Sequence, residues 1–85
     1  MKILIVEDEP GILNFLKQGL EEESFTVITA EDGQTGLSLA LSTPFDLILL
    51  DWMLPNLSGI EFCRQFRLQN TETPIIFLTA KDTTA

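Results

Sequence analysis

Three short apolar runs, Ile3 to Val6, Leu47 to Leu50 and Ile75 to Leu78, punctuate the chain, and each is continuous rather than alternating. Continuous runs of this length suit strands covered on both faces of a parallel sheet. A fourth run, Phe25 to Ala30, alternates more and suits a strand nearer an edge. Between the runs the apolar positions take helical spacing. A first helix opens at Pro10, a residue suited to the first helical position, and carries Ile12, Leu13, Leu16 and Leu20, with Gly19 weakening its interior. Asp32 is an N-cap for a second helix whose inward face holds Leu37, Ala40 and Leu41 and which ends near Ser42-Thr43-Pro44. Ser58 and Glu61 form an S-x-x-E capping box for a third, with Ile60, Cys63 and Phe66 as its expected buried positions. The order is β-α-β-α-β-α-β, which predicts an open α/β sheet with helices on both faces.

Composition narrows the function. Hydrophobic residues make up 45% of the 85 residues, enough to form one compact domain rather than a disordered polymer. Five basic residues against thirteen acidic ones give a net charge of −8, which argues against direct nucleic-acid binding and against anionic membranes. No apolar run approaches the roughly 18 residues of a membrane span, and the N-terminus lacks a signal peptide's long apolar stretch, so a cytoplasmic location is expected. One cysteine, Cys63, forms no internal disulfide. With no histidine in the chain, His-containing zinc sites and Ser/His or Cys/His triads drop out.

The candidate chemistry lies in where the acids fall. Glu7-Asp8 follow the first strand, Asp51 follows the third and Thr79 closes the fourth, all at strand C-terminal ends, where open parallel sheets bind ligands. If the strand order is 2-1-3-4, Glu7, Asp8 and Asp51 converge. Three carboxylates so close resist ionisation unless a cation sits among them, and hard oxygen ligands suit Mg²⁺. Single residues also have simpler readings: Asp8 or Glu9 suits the positive N-terminus of the helix at Pro10, and Glu7-Asp8-Glu9 also reads as a solvated charge run.

These residues resemble the receiver domain of bacterial two-component response regulators, along essentially the whole chain. The carrying segments are Ile3 to Glu9, Asp46 to Pro55 with Ser58-Gly59, and Pro74 to Lys81. The Asp51-Trp52-Met53-Leu54-Pro55 segment is most similar to regulators that carry a winged-helix output domain for transcription. The resemblance implies a flavodoxin-like fold and a phosphoacceptor role, not that of an enzyme. Asp51 takes a phosphoryl group from a phosphohistidine on a sensor histidine kinase. It further implies Mg²⁺ held by Asp8, Asp51 and the backbone carbonyl of Met53, with Glu7 acting through water. Thr79 then bonds a phosphoryl oxygen and links phosphorylation to a loop shift, assisted by backbone N–H groups near Trp52, Met53 and Ala80. Met53 and Lys81 occupy positions that flank the phosphoryl group in the family, and Lys81 suits either a pair with Glu7 or a solvated surface site. Pro55 and Gly59 shape the loop after Asp51.

The family's domain has five βα units, whereas residues 1–85 supply four strands and three helices and lack the fifth unit with its lysine-proline; Lys81 is a different lysine. A truncated receiver domain is expected, and a piece of a longer regulator is the favoured explanation. Without the family lysine, phosphoryl transfer is expected to be slower. Ile75 to Leu78 then forms an apolar edge strand, and an edge-paired or domain-swapped homodimer is expected. A phosphatase of the haloacid dehalogenase type needs a second aspartate where Met53 stands. A flavin protein needs a phosphate-cradling loop after the first strand, which is missing. A receiver-like interaction module that no longer accepts phosphate remains the alternative.

Overall fold

Ile3, Leu4, Ile5 and Val6 expose at most 1% of their surface, because strand β1 (Lys2–Val6) lies between two parallel neighbours and under helices on both faces. The structure, a computed structural model, describes residues 1–78. After β1 come helix α1 (Pro10–Glu22), β2 (Thr26–Ala30), α2 (Gly33–Ser42), β3 (Leu47–Leu50), α3 (Gly59–Arg67) and β4 (Ile75–Phe77). The four strands are parallel in the order β2-β1-β3-β4. The flavodoxin-like α/β sheet expected from the sequence is therefore present, with β2 at one edge as its alternation suggested.

Side-chain alternation divides the core into two layers. Ile3 and Ile5 of β1 and Leu49 of β3 pack with Leu13 on the α1 side. Leu4, Val6, Ile48 and Leu50 point the other way, to Leu37 and Ala40 of α2 and Phe62 and Phe66 of α3. This arrangement explains why the strands read as unbroken apolar runs: both faces are covered.

Each helix starts on a side-chain cap. The Glu9 carboxylate accepts from the backbone N–H groups of Gly11 and Ile12, with Pro10 following as expected. Asp32 caps α2 through Thr35 N–H at 2.8 Å. Ser58 Oγ accepts from Glu61 N–H at 3.2 Å, but the Glu61 carboxylate binds Arg64 and Gln65, so the capping box closes on one side only. That pairing with Arg64 holds Glu61 well below the usual carboxylate range, at about 2.

The expected helix faces need correction at three positions. Ile12, Leu41 and Ile60 are 40%, 41% and 49% exposed. In α3 the buried set is Gly59, Phe62 and Phe66 rather than Ile60, Cys63 and Phe66. Gly59 packs so closely on the backbone after β3 that it fixes the helix rotation, turning Phe62 inward and Ile60 outward. Gly33 and Gly36 do the same for α2, whose buried set is Gly33, Gly36, Leu37 and Ala40. The fourth strand is also less covered than its sequence suggests, since Ile76 is 53% exposed.

Candidate functional site

The strand ends fix the site. Glu7 N–H donates to Ala30 O and Asp51 N–H donates to Val6 O, both at 3.0 Å, so sheet pairing continues one residue past β1 and β3. Glu7 and Asp51 are thereby held on neighbouring strands at the C-terminal edge of the sheet. One carboxylate oxygen from each of Glu7, Asp8 and Asp51 lies within 4.8 Å of the other two. Convergence of the three acids, expected from a 2-1-3-4 order, is realised.

Their environments differ. Glu7 is buried with 2% exposure, Asp51 is half-buried and Asp8 is exposed. Glu7 Oε2 accepts the N–H of Glu9 at 2.9 Å, whereas Oε1 is buried with no hydrogen-bond partner among the described residues. Burial pushes the Glu7 carboxyl above its ordinary 4.5; the Glu9 N–H bond opposes this, and the nearby Asp51 and Asp8 charges reinforce it. A buried, unpartnered carboxylate oxygen among like charges is an arrangement that a hard cation would complete. The donor set is oxygen only, with no imidazole in the chain, and this suits Mg²⁺ rather than a softer metal.

The acidic run divides its labour. Glu9, not Asp8, caps α1, so the two acids that could each have served the helix have separate tasks.

The connection after β3 is gripped at its far end. Gly59 N–H donates to Trp52 O at 3.0 Å, and a Cβ at Gly59 would stand 2.4 Å from Asp51 O and 3.0 Å from Trp52 O. Only glycine lets α3 begin this close to the backbone of Asp51. Trp52 is half-buried and packs against Phe77 in a tilted arrangement, with ring centroids 5.1 Å apart and an interplanar angle of 55°. Met53 is 67% exposed and lines an open hollow beside the acids together with Asp8, Ser58 and Ile60. Cys63 is half-buried and its thiol is pushed up by burial, against the opposing charge of Arg67. Thr79, Ala80 and Lys81 lie outside the described residues.

Gly33 was not singled out by sequence reasoning. The available signal was a glycine in the first turn of a helix, directly after its N-cap, where most residues form helix better.

Comparison with known proteins supplies the family. Residues 3–85 match the family described as "Response regulator receiver domain". The chain belongs to that family. It is a receiver domain, a phosphoacceptor module of two-component signalling. Over 83 residues it is 55% identical to the response regulator ArlR of Staphylococcus saprophyticus, covering 98% of this chain and 37% of that protein, so it spans a little over a third of the relative's length. The receiver domain of a Pseudomonas aeruginosa sensor histidine kinase, solved with a magnesium ion coordinated in its active-site cleft, superposes with a TM-score of 0.91 at 33% identity, covering 98% of this chain and 70% of that one. Thermotoga maritima TrrA, solved in complex with the histidine kinase ThkA, gives a TM-score of 0.85 at 38% identity, over 98% of this chain and 72% of that one. Among the described residues, no helix is long and apolar enough to cross a membrane.

Proposed function

We propose that Asp51 is the phosphoacceptor and that Glu7, Asp8, Asp51 and the Met53 backbone carbonyl hold Mg²⁺ beside it, Glu7 through a water. The observation that carries this reading is the convergence of the three carboxylates, one of which, Glu7, is buried with an oxygen that has no hydrogen-bond partner among the described residues. The bound ion supplies positive charge that lets two anionic groups approach each other. An Asp51 carboxylate oxygen attacks phosphorus, a new O–P bond forms and the N–P bond to the donor histidine breaks, the imidazole nitrogen leaving with the electron pair. Glu7 and Asp8 orient the site, and the Thr79 hydroxyl contacts the transferred phosphoryl group.

The donor is a sensor histidine kinase, as supported by TrrA having been solved with ThkA. This chain acts in the cytoplasm as a regulatory acceptor without catalytic turnover and, with its net charge of −8, leaves nucleic-acid contact and transcriptional output to another domain. Met53, two residues after Asp51, supports the acceptor reading over a phosphatase, which would place a general acid there.

The test is intact-mass analysis after incubation with acetyl phosphate and Mg²⁺, on this chain and on Asp51→Asn. A single phosphoryl adduct requiring both Mg²⁺ and Asp51 is expected. An adduct retained in Asp51→Asn would overturn the assignment.

A second reading, an interaction module impaired in phosphorylation that self-associates through β4, is favoured by the 53% exposure of Ile76 on a strand that pairs only with β3 among the described residues.

A further inference from the structure

The loop between Asp51 and α3 carries Met53 and borders the acids, yet it is held by few backbone bonds. Its far end is tied by Gly59 N–H to Trp52 O, and Leu57 N–H turns back onto Pro55 O at 2.8 Å. Among the described residues, one backbone hydrogen bond reaches the middle of this loop from another element: Gly33 N–H donates to Pro55 O at 3.1 Å. Gly33 opens α2, and a first-turn N–H has no acceptor within its own helix. Here Pro55 provides that acceptor.

The contact is too close for a side chain. A Cβ at Gly33 would stand 1.8 Å from Leu57 O, 2.7 Å from its carbonyl carbon and 2.8 Å from its Cβ. Most of what it would meet is backbone, which cannot swing aside as a flexible side chain does. Two further features hold the same seam. Asn56, between the two contacted residues, adopts a left-handed φ of 70°, and its side chain lies near enough to the Asp32 carboxylate, the N-cap of α2, to help lower that group's pKa, after the larger effect of Thr35. Leu54 and Leu57 pack into the core layer shared by α2 and α3.

The geometry points to Gly33 as a positioning residue for the cation site: the start of α2 sets the course of the 52–58 loop, and through it the placement of Met53. This inference rests on the proposed Mg²⁺ site. It adds that the site's affinity depends on a residue on a separate helix, one that belongs to neither the acidic cluster nor the β3–α3 connection.

The test follows Mg²⁺ binding by the fluorescence of Trp52, the only tryptophan, with calorimetry alongside, in the unsubstituted chain, Gly33→Ala and Ala40→Gly. Ala40→Gly weakens α2 itself without adding a group near the loop. Gly33→Ala is expected to bind Mg²⁺ at least about tenfold more weakly, the size of effect seen when residues that orient metal ligands are changed. Ala40→Gly should stay within about twofold of the unsubstituted chain even though its Tm falls. Equal affinity in Gly33→Ala and the unsubstituted chain overturns the inference, as does a matched loss of affinity in both variants, which would mark a purely structural role. Failure of the unsubstituted chain to bind Mg²⁺ strikes instead at the proposed site and removes the basis of the inference.

If Gly33→Ala does not fold, amide hydrogen exchange on the unsubstituted chain decides. Coupling is reciprocal, so Mg²⁺ should raise protection at the Gly33 N–H while leaving the Gly36 N–H, bonded at 3.0 Å to Asp32 O, little changed. Unaltered protection at Gly33 under saturating Mg²⁺ overturns the proposal.

Discussion

Glu9 donates its backbone N–H to Glu7 Oε2 at 2.9 Å while turning its own carboxylate away to cap α1. The two acids are two residues apart and have opposite situations: one is satisfied by helix N–H groups, the other is buried with an oxygen left over. The helix start thus anchors one oxygen of the Glu7 carboxylate and leaves the other without a hydrogen-bond partner among the described residues.

The stability consequence of Glu7 follows from its raised pKa. A carboxyl that binds protons more readily folded than unfolded stabilises the fold below its unfolded value, near 4.5, and loses that contribution as pH rises through the higher folded value. At neutral pH without metal that contribution is diminished, and burial of the Glu7 carboxyl costs stability. Glu7→Gln should therefore raise Tm at pH 7, its amide able to donate towards Asp8 and Asp51, and the difference from the unsubstituted chain should shrink as pH falls through the raised folded value and level off below about 4.5. Added Mg²⁺ should stabilise the unsubstituted chain more than the variant, because only binding to the folded state shifts the equilibrium. Thermal melts across pH, with and without Mg²⁺, check both statements; a lower Tm for Glu7→Gln at pH 7 without metal would contradict them.

Two glycines give opposite outcomes for the same substitution. Gly19 lies within α1 with nothing within 4 Å of a built Cβ, so Gly19→Ala should gain roughly 1 kcal/mol from helix propensity alone. Gly59→Ala would force a methyl group against Asp51 O and must displace either α3 or the acceptor's backbone. It should lower Tm and slow phosphoryl acceptance from acetyl phosphate. Chemical denaturation and intact-mass time courses read the two effects separately.

How far the sequence reveals this molecule can be argued from α3. Its existence, its Ser58 cap and the placement of Asp51 before it follow from residue types with local physical causes. Its rotation does not, because the deciding contact is between Gly59 and the carbonyl groups of Asp51 and Trp52, a tertiary approach that apolar spacing does not encode. The Ile60, Cys63, Phe66 face has helical spacing, as does the observed Gly59, Phe62, Phe66 face. The same gap hides Gly33, whose significance appears only once Leu57 is seen against it. Convergence of Glu7, Asp8 and Asp51 was legible because strand order and strand C-terminal position together determine it.

The rotation of α3 carries its own prediction. Phe62 is completely buried and packs against Phe66 with ring centroids 6.0 Å apart, so Phe62→Ala should cost about 3–5 kcal/mol. Ile60→Ser, at a half-exposed position on the rim of the hollow, should cost less than about 1 kcal/mol. Denaturant melts compare them directly, and equal losses would mean the helix faces are misassigned.

The free side of β4 yields the last prediction. Pro74 O accepts from Ile48 N–H and Leu78 N–H donates to Leu50 O, each at 3.0 Å, so positions 74, 76 and 78 bond to β3. The N–H and C=O groups of Ile75 and Phe77 must then point outward, where none of the described residues pairs with them. With Ile76 exposed beside them, this edge is a template for a second copy. The net charge of −8 opposes such pairing, and salt screens that repulsion. Self-association should therefore strengthen with both protein concentration and ionic strength. Ile76→Lys, a charge on the edge strand, should weaken it at every salt concentration. Light scattering over a salt series checks this: a monomeric mass throughout would remove edge pairing as a property of the chain, whereas a dimer that Ile76→Lys leaves intact would place the contact elsewhere.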